Sequence, residues 1–248
     1  MSTTSLVLIP GLMCDQGVWS AQIEALRRLG IDCHVAAHGL SDSLAGMAGA
    51  VLEAHPGPLA VVGHSMGGRV ALEIARLAGA RLRGAALLDT GYRPLAAGDA
   101  GERETAGRLR LLEQAQAQGI APMARSWLQG MVHPDRLADR ALLDAIVTMF
   151  ERRNVAEFEV QIRALLGRPD ATPVLPRMAC PTLLLCGEQD SWAPPAQHRE
   201  MAQLIPGSLL VTVPNCGHMA PMERPEAVNG ALQSWLELVD VVRDRTSP

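Results

Sequence analysis

Short apolar runs recur along this chain with helical stretches between them, and that alternation limits the possible folds more than any other feature. Apolar runs fall at residues 6–9, 31–36, 59–62, 84–88, 182–186 and 209–213. Helical patterns lie between them at residues 19–29, 44–55, 67–78 and 195–204, and a last one opens at Pro225. Most of these runs are apolar throughout rather than on every second residue. Strands of that kind are buried on both faces, so the expected fold is α/β: a mostly parallel sheet of about six strands with helices on both sides. The run at residues 31–36 is the exception. Its Asp32, Cys33 and His34 suit a strand at the sheet edge.

The alternation stops between residues 92 and 172. That stretch carries no strand-like run, is rich in arginine, and places Leu142, Ile146, Met149 and Phe150 on one helical face. The expected organisation is therefore a core of residues 1–91 and 173–248, interrupted by a helical cap, or lid, at 92–172. A chain of 248 residues that is 48% hydrophobic can bury a core of this size. With 19% charged residues and a net charge of −4, it matches neither a disordered chain nor a partner of nucleic acid or anionic membranes. All 22 basic residues are arginine, which excludes Schiff-base and P-loop lysine chemistry. The five cysteines form no C-x-x-C pair and the histidines show no metal-ligand spacing, so neither metal nor cofactor is expected. The first residues lack a basic n-region and no apolar run is long enough to span a bilayer, so a cytoplasmic monomer or homodimer is expected.

The segment Leu59-Ala-Val-Val-Gly-His-Ser-Met-Gly-Gly68 joins a strand to a helix through G-x-S-x-G. Such a turn strains the serine and lifts its hydroxyl above the sheet. The residues two before and two after must then be small, because strand and helix approach closely. Ser65 is the expected nucleophile. A serine needs a base and a group to orient that base. His218 follows the last strand in Pro214-Asn-Cys-Gly-His-Met219, and Asp190 follows the preceding strand in Leu183-Leu-Leu-Cys-Gly-Glu-Gln-Asp190. Both loops leave the carboxyl ends of strands, as the serine turn does. His64 is a weaker base, since neighbours in a tight turn point different ways. Glu188 and Asp89 are rival acids. The backbone N–H groups of Met66 and of Leu12, in the loop after the first strand, are expected to form the oxyanion hole.

The segments at residues 8–19, 63–68, 186–190 and 217–218 resemble the α/β-hydrolase superfamily, and the chain looks similar to its capped, carboxylesterase-like bacterial members such as pimeloyl-carrier-protein methyl esterases. The resemblance implies Ser65, His218 and Asp190 as the catalytic set, with Leu12 and Met66 as oxyanion donors. Many members carry a histidine where this chain has Pro10, and many begin with an antiparallel strand pair for which there is no room here. The expected activity is hydrolysis of a small or medium ester or thioester through an acyl-enzyme on Ser65, with a small-molecule ester as partner. Carbon–carbon bond hydrolysis, perhydrolysis and lyase chemistry use the same three residues, and a non-catalytic binding protein is the remaining alternative. Trp192, Trp127, Met123, Met149 and Phe150 are the expected pocket residues, Arg163 and Arg168 the lid arginines nearest the core. Cys14, Cys186 and Cys216 read as buried filler.

Overall fold

The computed structural model describes residues 4–239. Six strands form one sheet in the order β2-β1-β3-β4-β5-β6, and every pairing is parallel. The strands are β1 Ser5–Ile9, β2 Cys33–Val35, β3 Leu59–His64, β4 Leu82–Leu88, β5 Thr182–Gly187 and β6 Leu209–Val213. β3 and β5 are buried along their whole length, as their unbroken apolar sequences require. The run at 31–36 shortens to β2, which pairs only with β1 and forms one edge. Ile31 is buried ahead of that strand, held by the packing of a loop.

After β1 the chain steps to one side to form β2, then crosses to the other side for β3. The strand order therefore reverses between β1 and β3, and a crevice opens above the carboxyl ends of those two strands. Helices α1 Ser20–Arg28 and α10 Pro225–Leu236 pack against each other, and α10 also packs on β5. Helices α2 Leu44–Ala54 and α3 Met66–Ala78 form a second pair, with α3 lying on β1, β3 and β4. α2 starts at residue 44 because the Ser43 hydroxyl accepts the Gly46 N–H at 3.2 Å.

Between β4 and β5 the described chain is helical: α4 Asp99–Gln118, α5 Ile120–Trp127, α6 Arg140–Glu151 and α7 Val155–Leu166. Gly119, at φ 91°, makes the sharp turn from α4 to α5. α7 opens with a capping box in which Asn154 and Glu157 satisfy each other's backbone N–H groups at 3.0 Å. These helices pack around Phe150 and Phe158, both fully buried, with the Trp127 ring 5.7 and 6.1 Å from theirs. Truncating either phenylalanine to alanine would cost about 3–5 kcal/mol. After β5 come α8 Pro195–Leu204, packed on β5 and β6, and a short helix α9 Ala220–Glu223 that follows the loop beyond β6.

Candidate active site

Ser65 sits between the last residue of β3 and the first of α3, at φ 54° and ψ −116°. A residue with a Cβ pays about 1–3 kcal/mol for such backbone geometry, so the surroundings must enforce it. They do so by contact. A methyl group on Gly63 would lie 2.7 Å from Gly68 Cα, one on Gly67 would strike the Ile9 carbonyl, and one on Gly68 would lie 2.6 Å from Thr90 Cβ. Only glycine at these positions lets strand, turn and helix close together. Thr90 Oγ1 then donates to the Ser65 carbonyl at 2.7 Å and fixes the turn.

His218 Nε2 lies 2.8 Å from Ser65 Oγ, and His218 Nδ1 lies 2.8 Å from Asp190 Oδ2. The other oxygen of Asp190 accepts the N–H groups of Trp192 and Ala193 at 2.8 and 3.0 Å. Burial by itself would raise the Asp190 carboxyl. The charge and hydrogen bond of His218, helped by the two amides, outweigh it and draw the group down to about 2. Asp190 is thus a carboxylate across the neutral range, able to hold one imidazole tautomer and to stabilise the imidazolium.

The rival residues have other partners. Glu188 is exposed and accepts from Gln189. Asp89 is fully buried but accepts the amides of Gly187 and Ala220 at 3.0 and 3.2 Å. His64 turns away from the serine: its Nε2 bonds the His218 carbonyl at 2.8 Å, and the Trp19 ring meets it edge-on at 6.2 Å. Burial, with the nearby His218 charge, pulls His64 down to about 3, so it stays neutral and donates to that carbonyl.

The chain between β4 and β5 holds both loops that flank the serine. The loop after β1 is tied to them by a bidentate Asp15–Arg152 pair at 2.6 and 2.8 Å and by Met13 N–H, which donates to Gln161 Oε1 at 2.9 Å. Leu12 and Met66 border the cavity beside Ser65, and within the described residues no hydrogen bond engages either backbone N–H. Pro10 fits this loop, its carbonyl accepting from His38 Nε2 at 2.9 Å. The His218 loop is tied in the same way. His218 N–H donates to the Met131 carbonyl at 2.8 Å. The buried Glu223 carboxylate accepts from Gly217, Met219 and His133 at 3.0, 3.1 and 2.8 Å.

A cavity of about 590 Å³ opens above Ser65. Trp192, Trp127 and Phe150 line it, and Trp192 is 41% exposed at its mouth. The Trp192 ring stacks on Trp127 at 5.6 Å and lies 4.8 Å from the His218 ring. Met123 and Met149, expected on the wall, are instead buried in the packing behind it. Helical spacing puts Met149 on the same face as Phe150 but does not say how deep it lies; Met149 faces Gly17. Arg168 reaches the cavity, whereas Arg163 is exposed and pairs with Glu159. Cys14 and Cys186 are buried, which pushes both thiols up to about 12, and Cys216 is pushed higher, so all three are unreactive packing. Sequence reasoning missed Glu223. An acid just before Pro225 looks like an ordinary first-turn residue of a helix, and only its burial reveals another role.

The alpha/beta hydrolase family model matches residues 6–231. The polyketide synthase ThaQ of Burkholderia thailandensis is 28% identical over 94% of this chain, which spans only 12% of that protein's length. A 2-succinyl-6-hydroxy-2,4-cyclohexadiene-1-carboxylate synthase from Klebsiella pneumoniae is 28% identical over 71% of this chain and 67% of its own. The solved structure of a thermophilic esterase from Thermogutta terrifontis superposes with a TM-score of 0.82 at 27% identity, covering 97% of this chain and 92% of that one. These matches carry the superfamily and do not single out the pimeloyl-carrier-protein branch. With its parallel sheet, its strained serine turn and a family match from residue 6 to residue 231, the chain belongs to the alpha/beta hydrolase family.

Proposed function

We propose that this hydrolase is a serine esterase acting on a small or medium carboxylic ester or thioester, with residues 92–172 as the cap over its site. One observation carries the reading: the unbroken run of short contacts from Ser65 Oγ through the His218 ring to Asp190, 2.8 Å at each step. His218 Nε2 takes the Ser65 proton as Oγ bonds to the substrate carbonyl carbon. The oxygen of the tetrahedral intermediate is received by the Leu12 and Met66 N–H groups, each worth about 3 kcal/mol in the transition state. His218 passes its proton to the leaving alcohol or thiol, and the acyl-enzyme remains. Water then repeats the sequence and frees the acid.

The test is covalent labelling by a fluorophosphonate together with turnover of short p-nitrophenyl esters. Ser65→Ala should lose the label completely and lower kcat by about 10⁴-fold or more. A variant that keeps its label or its turnover removes Ser65 from the mechanism. The similarity to a synthase supports a second reading in which His218 takes a proton from carbon and no acyl-enzyme forms. Mass spectrometry of enzyme quenched during turnover separates the two, because only the esterase leaves an acyl adduct on Ser65.

A further inference from the structure

The cavity is not uniform. Its apolar lining includes Leu12, Met131, Phe150 and the two stacked tryptophans, of which Trp192 lies beside the His218 ring. Arg69, Arg108 and Arg168 enter it with Glu104. Arg168 is buried and holds both Glu104 oxygens, at 2.8 and 2.7 Å, while Arg108 donates to the same Oε1 at 3.0 and 2.8 Å. One carboxylate therefore serves two guanidinium groups and has little capacity left for a third.

Arg69 is that third group. Its Nη1 donates to the Arg93 carbonyl at 2.9 Å, and among the described residues no carboxylate lies within ion-pair distance of it. The arginines at the rim, Arg93 and Arg103, pair with Glu200 and Asp99 and do not share their acids with it. Gly91 lets the Arg69 guanidinium pack against the backbone: a methyl there would lie 2.7 Å from Arg69 Nη2 and 2.7 Å from Gln197 Oε1. Three guanidinium groups face one carboxylate in a part-buried space, and an anion is what would balance them. Burial, reinforced by the Arg168 and Arg108 charges, lowers Arg69 to about 9, as expected for a cation short of a counter-charge.

We propose that this end of the cavity is a carboxylate subsite, in which Arg69, backed by Arg168 and Arg108, receives an anionic group of the substrate. Arg69 lies on α3 four residues beyond Ser65, just over one helical turn or about 6 Å along the axis. The bound carboxylate therefore stands only a short chain away from the carbonyl that Ser65 attacks. The substrates of this site are half-esters and other esters carrying a free acid. The spacing between subsite and carbonyl rests on the esterase reading, whereas binding at the subsite can be tested without turnover.

Two pairs of esters test it. Monoethyl adipate carries the carboxylate on the acyl side, and the butyryl ester of 4-hydroxybutanoate carries it on the alcohol side. Each is compared with the same ester bearing a primary amide in place of the carboxylate. In the wild type, kcat/KM for the acid should exceed that for the amide by about tenfold or more in at least one pair. The favoured pair shows which side of the ester faces Arg69. The ratio should fall toward one in Arg69→Gln, recover in part in Arg69→Lys, and shrink in about 0.5 M salt. Calorimetry on Ser65→Ala supplies the readout that needs no catalysis: adipate should bind more tightly than adipamide, and Arg69→Gln should remove the difference. Equal binding of the two, or acid-to-amide ratios near one in both pairs, would overturn the subsite. Failure of the esterase reading would look different, as absent fluorophosphonate labelling with the adipate preference intact.

Discussion

β4 and β5 lie side by side, and an aspartate follows each where it leaves the sheet. Asp89 and Asp190 are both buried, and both accept two backbone N–H groups. Their electrostatics nevertheless diverge. Asp190 has the His218 ring at 2.8 Å and is drawn down to about 2. Asp89 has as its nearest basic group the His64 ring at 3.7 Å, which burial keeps neutral. Burial, with the Asp190 charge next to it, drives the Asp89 carboxyl well above the usual range. Two acids of the same type at equivalent strand ends thus do different work. Asp190 meets the His218 ring. Asp89 joins the end of β5 to the loop after His218, through Gly187 and Ala220, and so braces the backbone that carries the other two residues.

The largest effect expected from this contrast is on turnover. Asp190→Asn keeps the shape of the side chain but removes the charge that stabilises the imidazolium, and its amide can hold the wrong tautomer of His218. It should lower kcat by about 10⁴-fold with little change in fold, measured by ester hydrolysis alongside circular dichroism. A loss below about tenfold would mean that Asp190 is not the orienting acid and would dissolve the distinction between the two strand ends.

Acid stability separates the two groups next. The folded-state value of Asp190 lies below its unfolded value of 3.8, so its stabilisation is present above about pH 4 and is lost as pH falls through about 2. The shift corresponds to about 2 kcal/mol. Urea unfolding of the wild type should show that loss across this window, and Asp190→Asn should lack it. Wild-type and variant curves that stay parallel down to about pH 2 would show that the His218 contact contributes no such stability.

Much of this was legible in the chain because it rests on local constraints. The apolar runs allowed a parallel sheet, and Gly63, Gly67 and Gly68 announced a turn that only glycine can close. Ser65, Asp190 and His218 each stand just past a strand, so their convergence follows from the strand order. What stayed hidden was depth. Met149 and Phe150 are neighbours in one helix, yet only Phe150 reaches the cavity. The work of Glu223 was also hidden, because it joins the nearby Gly217 and Met219 amides to that of His133, 90 residues away. Asp89 was visible as a rival at a strand end, and its oxygens face the Gly187 and Ala220 amides, not the His218 ring. Sequence spacing fixes which residues share a level of the sheet, but the contacts that pull the two aspartate carboxyls in opposite directions are made across loops.

The smallest effect should come from Asp89→Asn, and its sign is what sharpens the comparison. The amide keeps one acceptor for Gly187 or Ala220 and loses the other, which costs about 1–2 kcal/mol. Against that, a carboxyl raised above its unfolded value favours the fold most at acid pH, and that contribution is lost as pH rises from about 4 toward the folded value. Asparagine does not titrate, so Asp89→Asn should gain stability relative to wild type as pH rises from about 4 to 7. That direction is opposite to the one expected for Asp190→Asn. Because Asp89 touches backbone rather than the His218 ring, kcat should stay within about threefold of wild type. Urea midpoints for both variants at several pH values read the two slopes directly. If both slopes share a sign, the aspartates are in the same charge state in the folded protein, and the division of labour between the two strand ends falls with it.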